Sequence, residues 1–218
     1  MTPMLGCPKS VEKRGLSHQE RVWPKRRTQK LKIGTINVGT MTGRGRALTG
    51  LMRRRKVDIM CVQETRWSGK KSKELGDGYK LIYGSVAEDE RCVIGGDVNG
   101  HVGRGSDVIS RVQGGMCYGE GYEDGEHVID FTISNDMVIS NTIFTKRQEH
   151  LITYKCGGRA SQIDYLLYRR RNMDEIINCK VVPGDHVTNQ HRLVVMDLNI
   201  KVSRVHSTPK PKSKLLVE

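Results

Sequence analysis

The chain has 218 residues, 37 Lys and Arg against 24 Asp and Glu, a formal charge of +13 and a pI near 9.6. With 36% hydrophobic and 28% charged residues it can build a core, which argues against wholesale disorder, and no apolar run approaches the ~20 residues of a membrane span. The six cysteines (Cys7, Cys61, Cys92, Cys117, Cys156, Cys179) are scattered without a CxxC pair, which argues against a disulfide scaffold or zinc site and suits a reducing compartment.

Charge is concentrated at the ends. Residues 1–30 carry eight Lys/Arg and two Glu, and residues 201–218 carry five Lys/Arg and one Glu, so +10 of the +13 lies outside an almost balanced centre. Such segments attract polyanions without reading sequence, and nucleic acid, DNA first, is the expected partner; solvated flanks are the alternative. Residues 1–30 are broken by Pro3, Pro8, Pro24 and many charges, so they read as a basic tail with no secretory signal. The expected location is intracellular, nuclear or cytoplasmic. A domain is expected over 31–202, followed by a second basic tail over 203–218.

From Leu31 the pattern changes. Leu31–Val38 reads as a strand ending in a Gly/Thr-rich loop. Ala47–Lys56 places Leu48, Leu51 and Met52 at helical spacing, with arginines opposite. Val57–Val62 is a short apolar run suited to a strand buried on both faces. Tyr79–Tyr83 and Arg91–Gly96 are further strands, the latter ending at Asp97. Gly100–Gly125 is loop-like, and a helix over Glu126–Asn135 would bury Val128, Ile129 and Ile133. Strands then crowd together at 138–143, 151–155, 161–168, 181–182 and 192–200. This is a layered α/β pattern without internal repeats.

Polar residues stand where the apolar runs end. Asn37 closes the first strand, Glu64 follows the second, and Asp97 and Asn99 follow Arg91–Gly96 in Gly-Asp-Val-Asn. Asp164 lies within Ser161–Leu167, and His191 opens the last strand. Ligands in open α/β folds gather at strand ends, so these residues are expected to line one rim cleft. Glu64 and Asp97 offer hard oxygen ligands suited to Mg²⁺, or Mn²⁺ in its place. Asp97 and Asn99, two apart, point to one face of an extended segment. A His beside a carboxylate keeps one tautomer and holds a proton near phosphate. Such a set suits metal-assisted attack of water on a phosphate ester. Singly, each has a plainer reading: Glu64 as a helix cap, Gly-Asp-x-Asn as a turn, Asp164 as a satisfied buried acid, His191 as a surface residue.

In this order, the residues resemble the endonuclease/exonuclease/phosphatase superfamily. Within it they look like the craniofacial development protein 2-like branch, itself similar to a retrotransposon endonuclease. Leu31–Trp67, Val93–Gly103 and His150–Leu198 carry the likeness, which covers nearly all of residues 31–200. The resemblance implies a four-layer α/β sandwich of two facing mixed sheets with helices outside. It implies that Asn37 holds Asp97, that Glu64 is the principal metal ligand, and that Asp97 orients the attacking water. Asn99 would contact the phosphate, and His191, its ring fixed by Asp164, would donate to a non-bridging oxygen.

Departures from the family pattern bear on activity. Ile36 replaces an aromatic, and the Ser-Asp-His ending reads Asn189-Gln190-His191, without the carboxylate; Asp185-His186 is read as a decoy. Between Tyr83 and Arg91 only Gly84–Glu90 remain, where the family has central strands and a Tyr-Ala-Pro segment. The expected function is Mg²⁺-dependent phosphodiester hydrolysis of nucleic acid, weakened by this shortening. The alternatives are an inactive remnant that binds nucleic acid, and a phosphatase of small or lipid esters.

Overall fold

The computed structural model describes residues 28–66, 73–76, 78–82, 91–103, 111–185, 187–202 and 214–216. In chain order these form β1 (Thr28–Asn37), α1 (Gly45–Arg55), β2 (Ile59–Gln63), β3 (Lys73–Gly76), β4 (Tyr79–Ile82) and β5 (Val93–Asp97). Next come α2 (Glu123–Ser134), β6 (Met137–Ile139), β7 (Tyr154–Cys156), β8 (Arg159–Ser161), β9 (Asp164–Arg169), β10 (Ile176–Val182), β11 (Leu193–Lys201) and β12 (Lys214–Leu216). Most of residues 1–30 and 203–218, the stretch 84–90, and His186 lie outside the described residues.

Two sheets face each other. One is mixed, with the strand order β10-β11-β1-β2-β12-β4-β3; the other is β5-β9-β6, antiparallel throughout rather than mixed as expected. Three apolar clusters separate four layers. Leu48, Leu51 and Met52 of α1 pack on Ile36, Met60, Val62 and Leu193 of the large sheet. Ile33, Val194 and Met196 meet Leu166 and Tyr168 between the sheets. Val128 and Ile129 of α2 cover Met137, Ile139, Tyr165 and Leu167. The fold is therefore a four-layer α/β sandwich. Among the described residues no helix is long and apolar enough to cross a membrane.

Differences from expectation have local causes. α2 begins three residues early, and its buried stripe is Gly125, Val128, Ile129 and Thr132, the i, i+3, i+4, i+7 face. Ile133 lies beside that stripe in the last turn and is 47% exposed, not buried. The strand expected over 138–143 stops at Ile139, because a 3-10 turn follows over Ser140–Thr142. There the Asn141 side chain replaces strand backbone: its Nδ2 donates to the Asp164 carbonyl and its Oδ1 accepts from Leu166 N–H. The tails also need correction. β1 starts at Thr28, and Lys214–Leu216 form β12, paired in parallel with β2 and β4.

Topology decides where the polar residues go. β1 and β2 run parallel, in register from Ile33↔Ile59 to Asn37↔Gln63, so Asn37 and Glu64 emerge at one rim. β11 runs antiparallel to β1 with Thr35↔Val194, which brings its start, and His191 just before it, to the same rim. β5 and β9 are antiparallel with Asp97 opposite Asp164, so the last residue of one strand meets the first of the other.

Candidate active site

Asn37, 1% exposed, sits at the centre. Its Oδ1 accepts from the Gly39 N–H at 2.9 Å, which turns its NH₂ toward the acids. Nδ2 then donates to Glu64 Oε1 at 2.9 Å and to Asp97 Oδ2 at 3.0 Å. One amide thus holds two carboxylates from different sheets. Asn99 lies beside them on an Asx turn, its N–H donating to Asp97 Oδ1 at 3.1 Å, with its side chain exposed. Glu64 and Asn99 both take left-handed φ values of 53°. For Glu64 this conformation costs roughly 1 kcal/mol or more, a strain that collects at functional sites, whereas Asn adopts it readily.

His191 closes the other side. Its Nδ1 lies 3.1 Å from Asp164 Oδ2, and its Nε2 faces Asp97 Oδ2 at 3.7 Å. Asp164 is fully buried, and the Thr153 Oγ1 accepts from both Ile163 N–H and Asp164 N–H. Burial pushes the Asp164 carboxyl above its usual range, against the pull of His191 and Thr153. For His191, burial favours the neutral ring, but the hydrogen bond and charge of Asp164, helped by Asp97 and Glu64, outweigh it and raise the pKa. The arrangement therefore favours an imidazolium with one N–H bound to Asp164 and the other facing the cleft.

The structure brings Asn37, Glu64, Asp97, Asp164 and His191 into one connected constellation, with Asn99 at its edge. Asp97, Asp164 and His191 offer ligand atoms within 4.8 Å of one another, a set able to hold a metal ion. Asp185, set aside as a decoy, pairs with Arg54 and Arg55 of α1. Gln190 donates its Nε2 to Cys156 Sγ at 3.2 Å.

Tyr154 escaped sequence reading. It forms a β-bridge with His191, and their rings lie 4.8 Å apart at 58°. The available signal was an aromatic ten residues before Asp164, which local pattern does not separate from an ordinary strand residue. A cavity of about 660 Å³ between the 115–119 loop and Lys146, Gln148 and Leu151 includes none of the candidate residues.

A four-layer sandwich with acids, an Asn and a His at one rim is an endonuclease-like α/β fold. The endonuclease domain of TRAS1, a telomere-specific non-LTR retrotransposon, superposes over 80% of this chain and all of that domain, with TM-score 0.50 and 12% identity. Craniofacial development protein 2 of Tragulus javanicus is 31% identical over 118 residues, and that of Bos taurus 30% identical over 118 residues. Each match takes in 53% of this chain, and the chain spans only 20% of the length of these curated relatives. No protein-family model matches. The likeness to craniofacial development protein 2 thus rests on sequence over half the chain, and the endonuclease-like fold on a structural match over most of it; together they support a likeness to the endonuclease/exonuclease/phosphatase superfamily.

Proposed function

We propose that this chain hydrolyses phosphodiester bonds of nucleic acid with the help of a divalent cation, Mg²⁺ or Mn²⁺. The observation that carries this reading is the single Asn37 amide holding Glu64 and Asp97 together while Asp164 holds His191 across the cleft. The donor set fits a hard ion: Glu64 and Asp97 would hold it with oxygens, their spacing maintained by Asn37. When bound, the cation supplies charge that polarises the phosphate. The chain's own groups do the rest. Asp97, its carboxylate held by the Asn37 amide and the Asn99 N–H, orients a water for attack. His191 donates its outward N–H to a non-bridging oxygen as negative charge builds, and Asp164 keeps that nitrogen protonated. Asn99 contacts the phosphate from its turn.

Nucleic acid as substrate is supported by the basic segments at both ends of the chain, which give sequence-independent attraction. Cleavage is expected to be weaker than that of an intact relative, since Gln190 stands where the wider family pattern has a carboxylate.

The test is nicking of supercoiled plasmid with and without Mg²⁺. Binding should weaken steeply with salt, and slow Mg²⁺-dependent nicking should vanish in both Asp97→Ala and His191→Ala while binding persists. Salt-dependent binding with no nicking by the unmodified protein would favour the inactive remnant. Nicking untouched by either substitution would overturn the site.

A further inference from the structure

We propose that Gln63 is a positioning residue, which sets the spacing of Glu64 and Asp97 by clasping the two sheets together just beneath them. The inference rests on the reading of Glu64 and Asp97 as the metal-holding pair. Gln63 ends β2, one residue before Glu64, and its side chain crosses from the seven-stranded sheet to the three-stranded one. Its Nε2 donates to the Gly95 carbonyl at 2.7 Å. The Thr35 hydroxyl, fully buried, lies 3.0 Å from Nε2 and 3.2 Å from Oε1 of the same amide.

The backbone is shaped for this crossing. Facing sheets usually stand ~10 Å apart with side chains filling the space. At Gly95 there is no room for one: a Cβ would lie 2.8 Å from Thr35 Cβ and Oγ1, and 2.9 Å from Cys61 Cβ. Glycine lets β5 sit close enough for its carbonyl to reach a side chain of the other sheet. The hydrogen bond also crosses between layers, where ordinary sandwich packing has only non-directional apolar contact.

The clasp ties three strands just inside the rim, with Thr35 level with Cys61 and Gln63 level with Asn37. Thr35 is two residues before Asn37, Gln63 one before Glu64, and Gly95 two before Asp97. Apolar packing between sheets tolerates sliding; hydrogen bonds at 2.7–3.0 Å do not. With the strands locked one layer below, Glu64 and Asp97 both come within reach of Asn37 Nδ2. Every clasp residue lies on β1, β2 or β5.

Two readouts test it on ¹⁵N-labelled full-length protein: exchange of the Asn37 side-chain NH₂ with solvent, and affinity for Mn²⁺. Thr35→Val keeps the volume and removes the hydroxyl; Gln63→Leu removes the amide; Thr35→Ser keeps the hydroxyl and serves as rescue. In Thr35→Val and Gln63→Leu the Asn37 NH₂ should exchange at least 10-fold faster. Supporting-shell losses typically cost 10–100-fold in metal affinity, so Mn²⁺ should weaken by about that factor. Thr35→Ser should stay near the unmodified protein in both. If Gln63→Leu does not fold, Thr35→Val decides alone. Unchanged NH₂ exchange in a folded Thr35→Val would overturn the clasp. Absence of Mn²⁺ binding by the unmodified protein would instead strike the metal reading, leaving the NH₂ exchange to decide the clasp.

Discussion

Two acids are buried among the described residues, Asp164 and Glu175, and their partners send them in opposite directions. For Asp164 burial wins and the pKa rises. Glu175, 2% exposed, accepts from Arg91 Nε and Nη2 at 3.0 and 2.9 Å, from Tyr168 Oη at 2.8 Å and from Lys201 N–H at 3.3 Å. Burial alone would raise its pKa; these donors outweigh it and lower the value. A carboxyl whose folded pKa is depressed contributes stability above its unfolded pKa, about 4.3, and loses it as pH falls through the folded value. Glu175→Gln should therefore cost about 2 kcal/mol near neutral pH, because donors to a charged acceptor are left mismatched. The cost should shrink as pH falls below about 4. Urea unfolding of both proteins from pH 7 to pH 3 checks it; a gap constant across that range would remove the charge from the account.

At the scale of elements, α1 shows how a terminus is fixed from outside the helix. Arg53, Arg54 and Arg55 fill its last turn, where cations suit the dipole, and Asp185 receives Arg54 and Arg55 from the loop before β11. The helix then stops at Lys56, left-handed at φ 54°, whose N–H reaches the Arg53 and Met52 carbonyls. A lysine there carries the Cβ penalty that glycine avoids. Lys56→Gly should stabilise the protein by about 1 kcal/mol with the fold unchanged. Thermal melting reads this as a rise of a few degrees, and a fall would mean that the Lys56 side chain makes a contact worth more than its strain.

On the scale of the whole molecule, the large sheet depends on a strand from the far end of the chain. β12 stands between β2 and β4, registered at Leu216↔Cys61 on one side and Lys214↔Lys80 to Leu216↔Ile82 on the other. Without it β2 loses a neighbour on the edge away from β1, and an unpaired edge invites association with other chains. A chain ending at Val202 should keep the β1, β2 and β11 register but unfold earlier and self-associate. Sedimentation and thermal melting would show both. If it melts and sediments as the full chain does, β12 contributes nothing to the sheet.

What the sequence by itself determined is local. The apolar runs at 57–62, 91–96 and 192–200 became strands, with ends shifted by one or two residues, and Leu48, Leu51 and Met52 the buried face of α1, because side-chain period fixes which face can be buried. The identity of the polar residues at the run ends was legible for the same reason: a strand end is visible where its period stops. Which of them meet was decided only by the tertiary structure. Asn37 bonds Asp97 across 60 positions of sequence, and Gln63 reaches Gly95 across 32. Such pairings follow from strand order and from the distance between sheets, neither of which local pattern contains. Tyr154 against His191, Ile133 turned outward and β12 drawn into the sheet belong to the same class. A backbone edge recruits a strand through N–H and C=O groups that every residue carries, so composition alone read 203–218 as a basic tail while the sheet took three of its residues as a strand.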